Sequence, residues 1–185
     1  ERKFWKDDFS VDSSSQYTVT GTVTGWGTGA IVLTNRSASA KRMIADPNSM
    51  ISVTAKVDSY GELDEIYFWI NGTMRVRLRY NVEGYYLYLQ HNFGNIPGIS
   101  APTGVALDSN PHTFGVIYQD GVYRAHFDGN IIGWPVSGYP APEYVKLIGD
   151  AKPATVSDVT VSPSISYSDD FTTDTTERYQ PVLGT

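Results

Sequence analysis

Short runs that alternate apolar and polar residues, each stopped by turn residues, cover most of the chain. Residues 50–57 set Ile51, Val53, Ala55 and Val57 on one side and Ser52, Thr54 and Lys56 on the other. That two-residue period predicts a half-buried strand. Residues 18–20 and 30–33 are shorter runs, separated by a glycine-rich stretch from Gly21 to Gly29. A meander follows: residues 65–70, then Asn71-Gly72, residues 73–80, a turn over 81–84, and residues 85–91. Asn-Gly between alternating runs predicts a two-residue hairpin. Beyond a Pro/Gly loop over 92–111, residues 112–119 and 122–127 flank Asp120-Gly121, and Ile131-Ile132 follows Asp128-Gly129. Residues 145–148 and 156–161 close the series. Many short strands and no amphipathic helix of three turns predict an all-β, antiparallel two-sheet sandwich. Residues 43–46, ahead of Pro47, leave room for one helical turn.

A repeat divides the chain. Asp7, Asp8, Phe9, Asp12 and Tyr17 recur as Asp169, Asp170, Phe171, Asp174 and Tyr179, every match 162 positions on. The spacing is that of a whole domain, too long for a solenoid unit. It predicts one module over residues 1–165, with 166–185 a linker and the first strand of a following repeat.

Composition then limits the partners. The 185 residues carry 14 Lys+Arg against 20 Asp+Glu, a net charge of −6, which argues against a nucleic-acid binder. No run approaches the ~20 apolar residues of a membrane-spanning helix, so no membrane insertion is expected. Cysteine is absent, which removes disulfides, zinc thiolates and thiol catalysis. No signal peptide is visible in the first residues. The marked excess is aromatic: 13 Tyr and 4 Trp.

Registering the meander on its turns gives two faces. A two-residue Asn71-Gly72 turn sets Phe68 opposite Arg75 and Ile66 opposite Arg77. The next turn sets Arg79 opposite Tyr86, Arg77 opposite Tyr88 and Arg75 opposite Gln90. One face then carries Val76, Leu78, Tyr80, Tyr85, Leu87 and Leu89 with Tyr67, Trp69 and Met74, and reads as core. The other carries Arg75, Arg77, Arg79, Tyr86, Tyr88 and Gln90 with Ile66 and Phe68. Rings that cover the C–H face of a sugar, beside planar donors that bridge its hydroxyls, are how proteins bind glycans. The plainer alternative is a solvated sheet face stabilised by Arg–Tyr pairs.

Other candidates lie apart from this face. Trp26, among glycines, and Trp134, before Pro135, would form a rim site or plug a sandwich end. The three histidines are scattered, and His112 reads as structural. Asp7, Asp8, Asp12 and Asp158 converge if the first and last strands pair, so Asp8 and Asp158 become candidate calcium ligands; turn capping is the alternative. Asn35 and Asn71 head glycosylation sequons, though Asn71 is accounted for by its turn.

Two resemblances follow from these residues. Glu62-Leu63-Asp64-Glu65-Ile66 resembles the opening of the acidic motif of family 16 glycoside hydrolases, whose retaining chemistry needs paired carboxylates ~5.5 Å apart. Ile66 and Phe68 stand where the third carboxylate would fall and Glu65 points to the opposite side, so a non-enzyme is expected. Residues 112–130, with Asp120-Gly121 and Phe127-Asp128-Gly129-Asn130, look like the hallmark hairpin of laminin-G-like, concanavalin A-like jelly rolls. Leu147-Ile148-Gly149-Asp150 and residues 156–161 resemble that family's closing strands, and Asp7-Asp8-Phe9 the first strand of carbohydrate-binding modules. The resemblance implies a jelly roll, often sugar-binding and often calcium-binding, of a kind also found in phage tail and bacterial surface proteins.

The expectation is a non-catalytic module that binds cell-surface or cell-wall polysaccharide, outside the cell or on a virion, beside neighbouring modules of its chain. A structural spacer or oligomerisation module and a divergent glycosidase are the alternatives.

Overall fold

The computed structural model describes residues 4–57, 65–81, 83–106, 108, 110–150 and 152–164. Chain order begins with β1 (Trp5–Asp7), a 3₁₀ turn (Ser14–Gln16), β2 (Thr18–Thr20), β3 (Val23–Thr24), β4 (Ile31–Leu33), β5 (Ser39–Met43) and β6 (Ser49–Val57). The meander supplies β7 (Glu65–Trp69), β8 (Met74–Asn81) and β9 (Gly84–His91), with β10 (Gly94–Asn95) and β11 (Ala101–Pro102) at its margin. Then come β12 (His112–Gln119), β13 (Val122–Phe127), β14 (Asn130–Ser137), β15 (Tyr144–Ile148) and β16 (Ala154–Pro163).

The strands form two eight-stranded sheets. One runs β14-β13-β12-β6-β16-β4-β3, with β1 also on β16; the other runs β10-β9-β8-β7-β15-β5-β2, with β11 also on β9. Every pairing is antiparallel. The long strands alternate as expected: Ile51, Val53 and Ala55 of β6 are buried, as are Val76 and Leu78 of β8 and Leu87 and Leu89 of β9. Their inward faces meet across the sandwich, where Phe68 packs on Phe114 with ring centroids 5.6 Å apart. His112 is a core-margin residue, its Nδ1 2.7 Å from Asp128 Oδ2 and its Nε2 2.9 Å from Asp108 Oδ1. Its structural role is as expected.

Three turns test the hairpin readings. Asp120-Gly121 (φ 49° and 87°) and Asp128-Gly129 (φ 46° and 84°) have two successive left-handed residues, as a two-residue hairpin of type I′ requires. Gly72 lies outside the left-handed region, and the third hairpin is built differently. Ile70 N–H donates to Met74 O at 3.0 Å, leaving 71–73 as a three-residue loop. Asn71 is buried; its Oδ1 accepts from the Thr73 and Met74 amides at 2.9 and 2.8 Å, and its Nδ2 donates to Pro140 O and Ala141 O. The extra residue corrects the register: Phe68 faces Val76, Tyr67 faces Arg77 and Trp69 faces Arg75. A slip of one residue exchanges the faces of a strand, so Ile66 and Phe68 are core and Glu65, Tyr67 and Trp69 point outward.

The helical turn at 43–46 is absent. Met43 ends β5, and Ile44 N–H continues that pairing by donating to Glu143 O at 2.9 Å. Asp46 then accepts from the Asn48 amide at 2.9 Å to turn the chain. The first copy of the repeat forms one local cap. Asp7 Oδ1 accepts from Phe9 N at 2.9 Å, Asp8 Oδ1 from Ser10 N at 3.0 Å and Asp12 Oδ1 from Ser14 N at 3.0 Å. Phe9 and Tyr17 are buried beside one another, centroids 6.2 Å apart. The second copy and residues 58–64, which include Glu62 and Asp64, lie outside the described residues.

Candidate functional site

The outward face of the β7-β8-β9 meander is the candidate site. β8 projects Arg75, Arg77 and Arg79 from one side at intervals of about 7 Å, twice the rise per residue. Across the β8–β9 ladder Arg75 faces Gln90, Arg77 faces Tyr88 and Arg79 faces Tyr86, as the turn at 81–84 predicts. The corrected β7–β8 register adds Trp69, Tyr67 and Glu65 on the other flank. β15 and β5 extend the same face with Lys146 opposite both Trp69 and Lys41.

Arg75 is the centre of this arrangement. Its guanidinium lies 5.0 Å from the Tyr67 ring centroid, 5.5 Å from Trp69 and 5.0 Å from Phe93. Nε donates to Gln90 Oε1 at 2.6 Å, and Gln90 Nε2 donates to Asn95 Oδ1 at 2.6 Å. Gln90 is therefore buried, acting as a positioning amide under the β10 turn rather than as an open ligand. Burial, and then the neighbouring Arg77 charge, hold the Arg75 guanidinium below its ordinary value. Tyr67 is moved up, first by burial and then by the Asp150 charge.

Arg77 is ion-paired: its Nε and Nη2 both donate to Glu65 Oε2. Its cation also lies 5.7 Å from the Tyr88 ring. Tyr86 and Tyr88 stack with centroids 6.3 Å apart and an interplanar angle of 17°, and Tyr86 Oη donates to Glu83 Oε2 at 2.7 Å. Arg79 Nε is buried without a hydrogen-bond partner. The face thus offers flat rings, forked donors and one engaged carboxylate on a rigid sheet.

The two tryptophan candidates stand elsewhere. Trp26 is half-buried on the first-strand cap, 5.8 Å from Phe9 and 5.4 Å from Tyr17. It plugs that margin, for which its flanking glycines provide the bends. Trp134 is 73% exposed on β14, in the opposite sheet, with its N–H donating to Gly98 O. Neither joins the Arg/Tyr face. Asp8 and Asp158 flank Lys6, whose Nζ is 2.8 Å from Asp158 Oδ2, while Thr160 Oγ1 donates to Asp158 Oδ1 at 2.7 Å. Among the described residues no three acidic or imidazole side chains gather as a metal site would.

Tyr67, Trp69, Glu65 and Phe93 escaped the sequence reading. One signal for the first three was present: the two-residue turn put Glu65 on the core face together with Tyr67 and Trp69. A carboxylate in that position is evidence against a register. Phe93 comes from the β9–β10 turn and carries no periodic signal.

Neither a protein-family model nor a curated protein sequence matches the chain. Solved structures do match. The Bacillus licheniformis β-glucanase superposes with a TM-score of 0.63 at 10% identity, covering 86% of this chain and 97% of that one. A β-1,3-1,4-glucanase (lichenase) from a mouse hindgut metagenome gives 0.65 at 10% identity, covering 86% and 99%. The exoplasmic/lumenal domain of VIP36, in a metal-free form, gives 0.61 at 13% identity, covering 89% and 93%. The fold is a concanavalin A-like jelly roll. At such identities the likeness speaks for the fold alone, and function has to be argued from the site.

Proposed function

We propose that this jelly roll is a non-catalytic carbohydrate-binding module and that the outward face of β7, β8 and β9 is its site. The observation that carries the reading is the Arg75 cage, in which Tyr67, Trp69 and Phe93 surround a forked donor fixed by Gln90. Aromatic faces take the apolar side of a pyranose, and guanidinium forks take its oxygens. Polysaccharide on a cell surface or wall suits a shallow, row-like face. Location outside the cell or on a virion, as one module of a longer chain, belongs to the same proposal. Weak single-module binding would then be multiplied by avidity.

Titration calorimetry with a panel of cell-wall and plant polysaccharides tests this. Binding that falls at least tenfold in Arg75→Ala and in Tyr88→Ala is the expected result. No binding to any glycan, or binding indifferent to both changes, overturns it.

One observation favours a second reading, a divergent glycoside hydrolase: Glu65 lies on this face, and two of the similar folds carry glucanase names. Glu65, however, has its Oε2 engaged by two donors of Arg77, so that oxygen is turned to the arginine rather than presented to a glycosidic bond. Release of reducing sugar from a β-glucan, abolished by Glu65→Gln, would establish the hydrolase and overturn the non-catalytic reading.

A further inference from the structure

The chain as a whole is acidic, with a net charge of −6, yet the outward face of this sheet is cationic. Lys41, Lys146, Arg75, Arg77 and Arg79 share it with Glu65. Asp150 at the margin is held by Arg36 at 2.6 Å. Among the described residues, Arg77 is the one of the five cations with a carboxylate within ion-pair distance. Of the others, Arg75 and Lys41 meet neutral groups. Arg75 has the Gln90 amide and three rings, Lys41 lies 4.0 Å from the Tyr144 ring, and Arg79 Nε has no hydrogen-bond partner.

Leaving a half-buried cation without a counter-charge is costly, and the cost is removed when an anion arrives. A fork that already spends Nε on a neutral amide still presents its terminal nitrogens, the geometry that grips a planar oxyanion. We infer that the face selects anionic glycans, in which a carboxylate or sulfate on the sugar meets Arg75 and Arg79 while Tyr67 and Tyr88 cover the ring C–H surfaces. The inference rests on the glycan-binding reading above and narrows it to acidic sugars. A neutral glucan would satisfy the rings and leave the cations unpaired. The row of arginines along β8 also favours a polymer that carries acid groups at repeated positions.

Calorimetry on the intact chain at low and raised salt decides the matter. The probes are polygalacturonate and alginate as uronates, dextran sulfate as a sulfate ester, and mixed-linkage β-glucan and dextran as neutral chains. Poly-L-glutamate and a thymidine oligonucleotide serve as non-sugar polyanions. The expected result is binding of uronate or sulfated chains at least tenfold tighter than neutral chains, weakened by salt. The uronate and sulfate arms identify which oxyanion is preferred. Arg75→Met should abolish the preference, and Arg79→Met provides an independent test should the first variant fold poorly by circular dichroism. Neutral glucans bound as tightly as acidic ones would overturn the inference and leave the glycan reading standing. Binding of poly-L-glutamate or the oligonucleotide as tight as that of any glycan would overturn it too, by showing recognition of charge without sugar. No binding to any polysaccharide would remove the glycan reading itself.

Discussion

Among the described residues two arginines, Arg42 and Arg75, each lie against more than one aromatic ring, and their surroundings differ in one respect. Arg42, at the end of β5, lies 4.0 Å from the Trp5 ring and 5.7 Å from Tyr17, with its Nη1 4.0 Å from Asp7 Oδ2. Arg75 lies among Tyr67, Trp69 and Phe93 with a neutral amide for company. The first cage closes on itself: cation, carboxylate and rings all belong to the cap that seals the first strand. Among the described residues the second has no carboxylate within ion-pair distance, and the charges of Glu65 and Asp150 act on it from farther away. An arginine stacked on rings is therefore not by itself a sign of a site; what separates the two is whether the protein supplies the counter-charge.

The largest effect expected from this contrast is on stability, and it falls on Arg42. Arg42→Met leaves the Asp7 carboxylate, only 8% exposed, without its cation, and should lower the unfolding free energy by about 3 kcal/mol. A urea titration reads the loss directly. Adding Asp7→Asn should restore most of it, because the amide keeps the acceptor that Phe9 N–H uses and removes the buried charge. A double variant no more stable than Arg42→Met would mean that stacking, not charge, holds the cap.

Arg75→Lys should reverse the pattern, with an unfolding free energy within about 1 kcal/mol of the parent and binding of an acidic glycan weakened about tenfold. Lysine retains the charge and loses the fork and its stacking. Equal weakening of both properties would place Arg75 in the same class as Arg42.

Alkaline titration separates the cages by their phenols. Burial raises Tyr17 well above the ordinary phenol range, with the Asp7 charge adding to it, and burial likewise raises Tyr67. The folded chain therefore keeps protons that the unfolded chain releases near pH 10. This contribution is complete below about pH 10 and is lost as pH climbs further. Tyr17→Phe should flatten that decline more than Tyr67→Phe, and its hydroxyl has no hydrogen-bond partner to forfeit. Urea midpoints at pH 9 and pH 11 give the comparison.

The smallest effect is expected at the open side of the second cage. Phe93 is 69% exposed, so Phe93→Ala should cost binding about 0.5–1 kcal/mol, the worth of one exposed cation–π contact, and leave the urea midpoint in place.

Much of this was legible in the chain. Asp120-Gly121 and Asp128-Gly129 announced their hairpins because both central residues can adopt positive φ, and alternation in 50–57 gave the core face of β6 directly. The row from Arg75 to Arg79 against Gln90, Tyr88 and Tyr86 also followed from sequence, since the β8–β9 turn was placed correctly. Asn71-Gly72 misled for a physical reason. Its amide found better partners in two loop carbonyls from residues 140 and 141 and in its own downstream amides. Those carbonyls are seventy positions away, and local propensity carries no trace of them. The cage around Arg75 stayed hidden with that register, and Phe93 reaches it from outside any alternating run. For Trp26 and Trp134 the surrounding glycine and proline left display and plug both open, and only tertiary packing separates them: Trp26 plugs and Trp134 is displayed.

The pairing of β1 with β16 has a mechanical consequence. Trp5 lies opposite Val161 and Asp7 opposite Val159, so a pull separating Phe4 from Ser164 opens these rungs one after another, like a zipper. A load shared by several rungs in shear needs far more force than one that meets them singly. Tension on such a module is first felt at the cap around Asp7, Phe9 and Tyr17, while the arginine row lies on the other sheet, away from these rungs.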